Sequence, residues 1–163
     1  MEQKMPARGE TGYAVFLTVS GGGIQFPALY RSTCRALTEG KTVLMGRKTL
    51  QSLPGGRGLP RRRNVVLTGD EDFRAENAEV VHSAAEAVWV AGEDAWVIGG
   101  ESVYRQLLPL CERVYVTRIE ADGGADAFFP DLEHDPAWRL AQRSEDREEN
   151  GLRFRYEEYV PAI

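Results

Sequence analysis

The sequence predicts a single-domain α/β fold: a mainly parallel central sheet with helices on both faces and an antiparallel strand at the C-terminal edge. Three observations carry this expectation. Short apolar runs alternate with segments whose apolar residues recur at helical spacing, the pattern of strand–helix–strand units in a parallel sheet. Four of those runs, YAVFLTV (13–19), TVLMG (42–46), NVVLT (64–68) and AWVI (95–98), read as buried strands. The last two runs, WRLAQRS (138–144) and LRFRYEEYV (152–160), read as a terminal pair joined near Glu148-Glu149-Asn150-Gly151.

Taken in order, residues 1–12 (MEQKMPARGETG) are polar and read as a loose, flexible tail, leaving 13–163 as the domain. After the first strand, SGGG (20–23) is a break. From Pro27 to Thr38, the residues Tyr30, Cys34 and Leu37 share one helical face, and Gly40 ends that helix. TVLMG runs straight into a short helix, RKTLQSL (47–53), followed by the loop PGGRGLPRRR (54–63) and the third strand. GDEDFRAEN (69–77) is a polar connection, and EVVH (79–82) a short strand. In the helix SAAEAVWVA (83–91), Ser83 and Glu86 have the spacing of a capping box. AWVI leads into a helix over 101–110, with Val103, Tyr104, Leu107 and Leu108 as its inward stripe and Pro109 marking its end. RVYVTRI (113–119) alternates like a strand, and a long acidic loop (120–136) precedes the terminal pair.

Composition removes several function classes. The net charge is −5, and the only concentrated cations lie in the Pro/Gly-broken stretch 57–63, so no nucleic-acid partner is expected. Cys34 and Cys111 lie far apart among apolar residues and read as buried free thiols, which suits a reducing cytoplasm. His82 and His134 each lack a second histidine or cysteine nearby, so neither a metal site nor a catalytic imidazole is expected. No run reaches the length of a membrane span, and YAVFLTV is too short for a secretory signal and lacks a cleavage site. A cytoplasmic location is the expectation.

Two strand-to-helix junctions carry polar, glycine-assisted chemistry: Met45-Gly46-Arg47-Lys48-Thr49 and Ile98-Gly99-Gly100-Glu101-Ser102. Glycine at such a place permits a tight turn through positive φ. It also permits close approach of a phosphate to bare backbone N–H groups at a helix start. Ligands of parallel sheets collect where strand C-termini meet helix N-termini, and two such junctions suit the two halves of a dinucleotide.

KTVLMGRKTLQSLPGGRGLPRRRNVVLT (41–68), DAWVIGGESVYRQLLPLCERVYVTRI (94–119) and DAFFPDL (126–132) closely resemble dihydrofolate reductase, from about Ala36 to the C-terminus. The resemblance implies NADPH-dependent reduction of 7,8-dihydrofolate to tetrahydrofolate, a step of one-carbon metabolism. Hydride then passes to pterin C6 while N5 receives a proton. The resemblance assigns Gly46, Arg47, Lys48 and Thr49 to the pyrophosphate and adenosine phosphate. Ile98, Gly99 and Gly100 line the coenzyme cleft, the glycine pair being commonly joined by a cis peptide. Glu101, Ser102, Val103 and Tyr104 form the helix start whose N–H groups face the phosphates. Arg62 matches the arginine that grips the α-carboxylate of the folate glutamate, Leu53 and Arg57 lie where the aminobenzoate is wrapped, Thr117 helps hold the pterin, and Asp126 steadies the active-site flap. Read without the resemblance, Arg57, Arg61 and Arg63 are equally cations solvating a loop, and Asp126 a turn residue.

Before Ala36 the resemblance stops. The family follows its first strand with a long tryptophan-bearing flap and a Pro-x-Asp type helix start, whose carboxylate hydrogen-bonds the pterin. Counting back from Gly40-Lys41 puts Tyr30 in that place, anchoring on Pro27 puts Leu29 there, and no Asp or Glu lies between Glu10 and Glu39. A tyrosine hydroxyl, neutral near pH 7, offers one group where a carboxylate accepts two charge-assisted bonds. The chain is therefore expected to bind NADPH and to turn over dihydrofolate poorly. The alternatives are an NADPH-dependent reductase of another small substrate, a non-catalytic nucleotide- or folate-binding paralogue, and a shifted reading frame in the coding DNA. Beyond the third strand, Thr68-Gly69-Asp70-Glu71-Asp72 stands where the family often places Ser or Arg near the 2′-phosphate. Acids there oppose a phosphate whereas Arg47 and Lys48 attract one, and NADPH is favoured over NADH.

Overall fold

The computed structural model of the chain describes residues 14–19, 36–120, 132, 134–149 and 152–162. Expectations for the tail 1–12, the break at 20–23, the helix before Ala36, Tyr30, Cys34 and Asp126 lie outside those residues. The chain forms two compact units, residues 1–15 with 38–112 and residues 16–37 with 113–163.

The first unit is built on parallel strands in the order β4-β3-β2-β5-β1. These are β1 (Ala14–Val19), β2 (Thr42–Gly46), β3 (Arg63–Leu67), β4 (Glu79–Val81) and β5 (Trp96–Gly99). Only Ala14 and Val15 of β1 pair here, with Trp96 and Val97. Val43, Leu44, Met45, Val65, Val66 and Val97 are fully buried, as near-continuous apolar strands covered on both faces must be. Strand β3 starts one residue before the expected run, and β5 is displaced by one, so that Gly99 is its last residue.

Three helices follow these strands: α1 (Arg47–Ser52), α2 (Ala84–Ala91) and α3 (Glu101–Leu107). The helix expected over 101–110 stops at Leu107 and tightens into a 3-10 turn over Leu108–Leu110. Pro109 cannot donate a helical hydrogen bond, and the change of winding moves the inward position. Leu110 is buried, whereas Leu108 is only partly so, which corrects its place in the expected stripe. Cys111 is a buried free thiol whose Sγ–H donates to the Leu107 carbonyl at 3.2 Å.

The second unit contains β6 (Arg113–Glu120), β7 (Trp138–Arg143), β8 (Arg147–Glu149) and β9 (Leu152–Pro161). Strand β9 pairs antiparallel with β6, β7 and β8, so the antiparallel part is larger than one edge strand. Ser144 divides β7 from β8: its N–H donates to the Tyr156 carbonyl, and its Oγ accepts from Tyr156 N, both at 2.8 Å. The side chain thus stands in for a backbone carbonyl, and the pairing is interrupted before it resumes. Buried Glu157 is held by three donors, Arg143 Nε, Arg155 Nε and the Tyr159 hydroxyl, each at 3.2 Å, as an enclosed carboxylate requires. Among the described residues no helix is long and apolar enough to cross a membrane.

Candidate functional site

The two glycine junctions meet at the C-terminal ends of neighbouring strands. Gly46 is both the last residue of β2 and the N-cap of α1, and Gly100 is the N-cap of α3. Neither helix start has a side-chain cap. Between β2 and β5 the register shifts after Leu44, placing Met45 opposite Gly99. A Cβ added to Gly46 would lie 3.2 Å from Val103 Cγ2 and 3.8 Å from Gly100 N. A side chain at this position would press on Val103, so glycine eases the close approach of the two helix starts.

At the glycine pair the structure shows the first of the two expected reasons, a positive φ. Gly99 has φ +149°, a conformation that L side chains rarely adopt, and the Gly99–Gly100 peptide is cis. A Cβ on Gly99 would also fall 2.6 Å from Thr49 Oγ1. The group that closes over the bare backbone is thus the chain's own hydroxyl, sent from the other junction. Val103 and Tyr104 are buried, so their side chains serve the core. The Tyr104 N–H donates to the Gly100 carbonyl at 2.9 Å, which leaves Glu101, Ser102 and Val103 as the first-turn donors of α3. Ile98 is half-buried in β5, directly before the pair.

Cations and acids face each other beside the first junction. Arg47 Nη1 lies 3.5 Å from Asp70 Oδ2, with the two side chains 41% and 44% exposed. The loop that carries Asp70 is folded on itself: Thr68 Oγ1 accepts from Asp70 N at 3.2 Å, and Asp70 Oδ1 accepts from Asp72 N at 3.0 Å. His82 Nδ1–H donates to the Thr68 carbonyl at 2.9 Å, a structural use for a histidine whose sequence surroundings suggest none. Lys48 is exposed, and among the described residues it forms no ion pair.

The loop over 54–63 treats its arginines unequally. Arg61 pairs with Glu39 at 2.7 Å, Arg63 makes a forked pair with Glu79 at 2.9 and 3.1 Å, and Arg57 lies 3.8 Å from Glu76. Arg62 instead donates from Nε to Thr38 Oγ1 at 2.9 Å and from Nη1 to the Pro60 carbonyl at 2.8 Å. Both acceptors are neutral, so the guanidinium is positioned without being neutralised, and Nη2 bonds to nothing among the described residues. The loop itself is pinned by Asn64, whose amide exchanges bonds with Leu59 N at 2.9 Å and with the Leu59 and Arg62 carbonyls at 3.0 Å. A Cβ on Gly58 would collide with the Asn77 carbonyl, so the chain packs tightly there. Pro54, Arg57, Gly58, Leu59, Pro60 and Asn77 line a cavity of about 470 Å³, and Leu53 is half-buried at the end of α1.

Sequence reasoning missed Thr38, Asn64 and Asn77. A buried asparagine opening an apolar strand is a readable signal, but its partners are not. Thr117 belongs to the second unit, on β6 opposite Tyr156. Among the described residues no three His, Cys, Asp or Glu side chains cluster as a metal site would need.

Comparison with known proteins shows the family of the chain. The family model described as dihydrofolate reductase matches residues 30–161. The dihydrofolate reductase of Neisseria meningitidis serogroup B is 38% identical over 129 residues, 77% of this chain and 78% of that protein. That of Staphylococcus haemolyticus is 41% identical over 100 residues, which span 60% of this chain and 59% of the relative. Among solved structures, dihydrofolate reductase from Enterococcus faecalis complexed with NADP(H) and RAB-propyl superposes with a TM-score of 0.81. It covers 94% of this chain and 98% of its own at 24% identity, a likeness of fold.

Proposed function

Because this chain belongs to the dihydrofolate reductase family, we propose that it catalyses NADPH-dependent reduction of 7,8-dihydrofolate to tetrahydrofolate. The observation that supports this best is the contact between Gly46 and the start of α3, which sets two uncapped helix starts side by side. Backbone donors there, with Arg47 and Lys48 beside them, suit a diphosphate far better than they suit one another. A Cβ at Gly99 would run into Thr49 and one at Gly46 would press on Val103; two uncapped glycine helix starts with Arg47 and Lys48 beside them fit the diphosphate of the coenzyme.

When bound, NADPH supplies the hydride. The first-turn N–H groups of α1 and α3, with Arg47 and Lys48, would hold its diphosphate, Thr49 lies over Gly99, and Thr68 and Ile98 would be further coenzyme-binding residues. Arg62, held by Thr38 and Pro60, directs its outer edge toward the α-carboxylate of the substrate. Leu53 and Arg57 flank the aminobenzoate, and Thr117 serves the pterin. In the sequence, the count back from Gly40-Lys41 gives Tyr30 the acid's place. With no carboxylate there, acid–base assistance worth on the order of 10²–10⁴ in rate is weakened, and turnover is slow. The chain acts as a cytoplasmic monomer.

The test is NADPH oxidation with and without dihydrofolate, by the chain as written and by Tyr30→Asp. Slow, dihydrofolate-dependent oxidation that rises in the variant supports the reading. Oxidation at ordinary enzyme rates, about 10 s⁻¹, overturns the impairment, and an absence of NADPH binding overturns the whole. The missing acid between Glu10 and Glu39 favours one second reading, a coenzyme-binding relative with another substrate or no turnover. Tight NADPH binding with no response to dihydrofolate in either protein would select it.

A further inference from the structure

The contact between Arg47 and Asp70 joins two residues that make opposite demands on a coenzyme. Strand β3 lies beside β2 in the sheet, on the side away from β5. A ligand whose diphosphate rests on the β2 and β5 junctions therefore extends one nucleoside over the end of β3, where Thr68 and Asp70 lie. In dinucleotide sites of parallel sheets, an acid beyond the neighbouring strand accepts a hydrogen bond from the ribose 2′-hydroxyl, whereas an arginine accommodates a 2′-phosphate. Here both are present, with Arg47 Nη1 and Asp70 Oδ2 3.5 Å apart.

Asp70 is held at this place. Its N–H donates to Thr68 Oγ1 at 3.2 Å, its carbonyl accepts from Phe73 N at 3.2 Å, and its Oδ1 accepts from Asp72 N at 3.0 Å. Its other oxygen is thereby directed at Arg47. A 2′-phosphate reaching Arg47 meets a fixed negative charge within a few ångströms and competes with it for the same guanidinium. A 2′-hydroxyl meets an acceptor instead.

We propose that Asp70 is a specificity-determining residue that holds down the preference for a 2′-phosphorylated coenzyme, so that the site takes NADH as well as NADPH. This rests on the coenzyme reading above. The pair is exposed, so water screens it and the effect is moderate rather than absolute.

The experiment is fluorescence titration of the full chain with NADPH and with NADH, for the wild type, Asp70→Asn and Arg47→Ala. Asparagine keeps the acceptor for Asp72 N and removes only the charge. Asp70→Asn is expected to tighten NADPH about 5- to 10-fold while NADH stays within about twofold, and that gain should shrink in high salt. Arg47→Ala is expected to weaken NADPH by about tenfold or more and bring the two coenzymes close to parity. An unchanged NADPH-to-NADH ratio in Asp70→Asn, or weaker NADPH binding there, overturns the proposal and leaves the coenzyme reading standing. If the wild type binds neither coenzyme, the coenzyme reading itself fails and the proposal falls with it.

Discussion

The start of α2 and the starts of α1 and α3 meet the same physical problem with opposite results. Each follows a strand of the first unit, and each leaves first-turn N–H groups without helical acceptors. At α2 the chain closes the end itself: Ser83 Oγ accepts from Glu86 N at 3.1 Å, and Glu86 Oε2 accepts from His82 N at 3.2 Å. The carboxylate reaches one residue further back than a standard capping box would place it. The C-terminal end is closed as well, by Gly92 at φ 72° with its N–H on the Val88 carbonyl. At α1 and α3 the N-cap is glycine and no side chain caps the turn. The start of α2 is closed by the chain's own side chains, whereas these two leave first-turn donors without a side-chain acceptor, which is what the proposed coenzyme site requires.

The largest expected effect sets two glycines of these regions against each other. Gly92→Ala introduces a side chain at φ 72°, ψ −148° with nothing within 4 Å, at a cost of about 1–3 kcal/mol. Gly99→Ala places a Cβ 2.6 Å from Thr49 Oγ1 at φ +149°, and strain plus overpacking there cost about 2–4 kcal/mol. Urea unfolding checks both values. NADPH titration separates the regions: affinity falls at least about tenfold in Gly99→Ala and stays unchanged in Gly92→Ala. Equal losses of affinity would erase the distinction between an open junction and a closed one.

The same distinction recurs within the loop 54–63. Arg61 and Arg63 are closed by glutamates, and among the described residues Arg62 is held by neutral acceptors alone. Thr38→Val removes the acceptor of Arg62 Nε and leaves a part-buried donor unpaired. A hydrogen bond to a charged group is worth about 1.5–3 kcal/mol, so KM for dihydrofolate is expected to rise by about 10- to 100-fold. The NADPH affinity stays unchanged and Thr38→Ser restores KM. A loss of kcat with KM unchanged would mean that Arg62 is not the group that binds substrate.

Much of this contrast is legible in the sequence, and the reason is locality. β2 has the bounds that TVLMG suggests, because an uninterrupted apolar run followed by glycine leaves little choice. The Ser83–Glu86 spacing announces a cap, and Gly99-Gly100 announces a constrained turn. What escapes is non-local. β8 is the polar triplet Arg-Glu-Glu, which carries no apolar alternation and exists because β9 offers it an edge. Thr38 and Arg62 are 24 residues apart in sequence, and Asn77 meets Gly58 across 19, distances over which no periodicity speaks. That Thr49 is what closes over Gly99 is likewise invisible until β2 and β5 are neighbours.

Removing the cap that closes α2 gives a smaller effect. Ser83→Ala is expected to cost about 1 kcal/mol, read as a shift of the urea midpoint at unchanged slope, with NADPH affinity intact. A fall in that affinity would mean that the closed helix start also belongs to the binding region.

The smallest effect belongs to the pair that closes Arg63. Its fork onto Glu79 has good geometry, but the side chains are 46% and 51% exposed, and exposed pairs contribute about 0.2–1 kcal/mol. The hydrogen bond from Arg63 holds the Glu79 carboxyl below its ordinary range, and the same bond holds the Arg63 guanidinium above its own. A depressed carboxyl stabilises the fold fully above its unfolded pKa, about 4.3, and loses that contribution as pH falls through the lower folded value. The raised guanidinium stays charged throughout this window and adds no slope. Glu79→Gln should therefore lie less than about 1 kcal/mol below the wild type at pH 7, and the gap should close as pH falls below about 4 and narrow in 1 M salt. The substitution leaves both substrate KM and NADPH affinity where they were, since a charge already closed by its partner has nothing left to offer a ligand. A gap that persists at pH 3 would assign Glu79 a packing role between β3 and β4 in place of the electrostatic one.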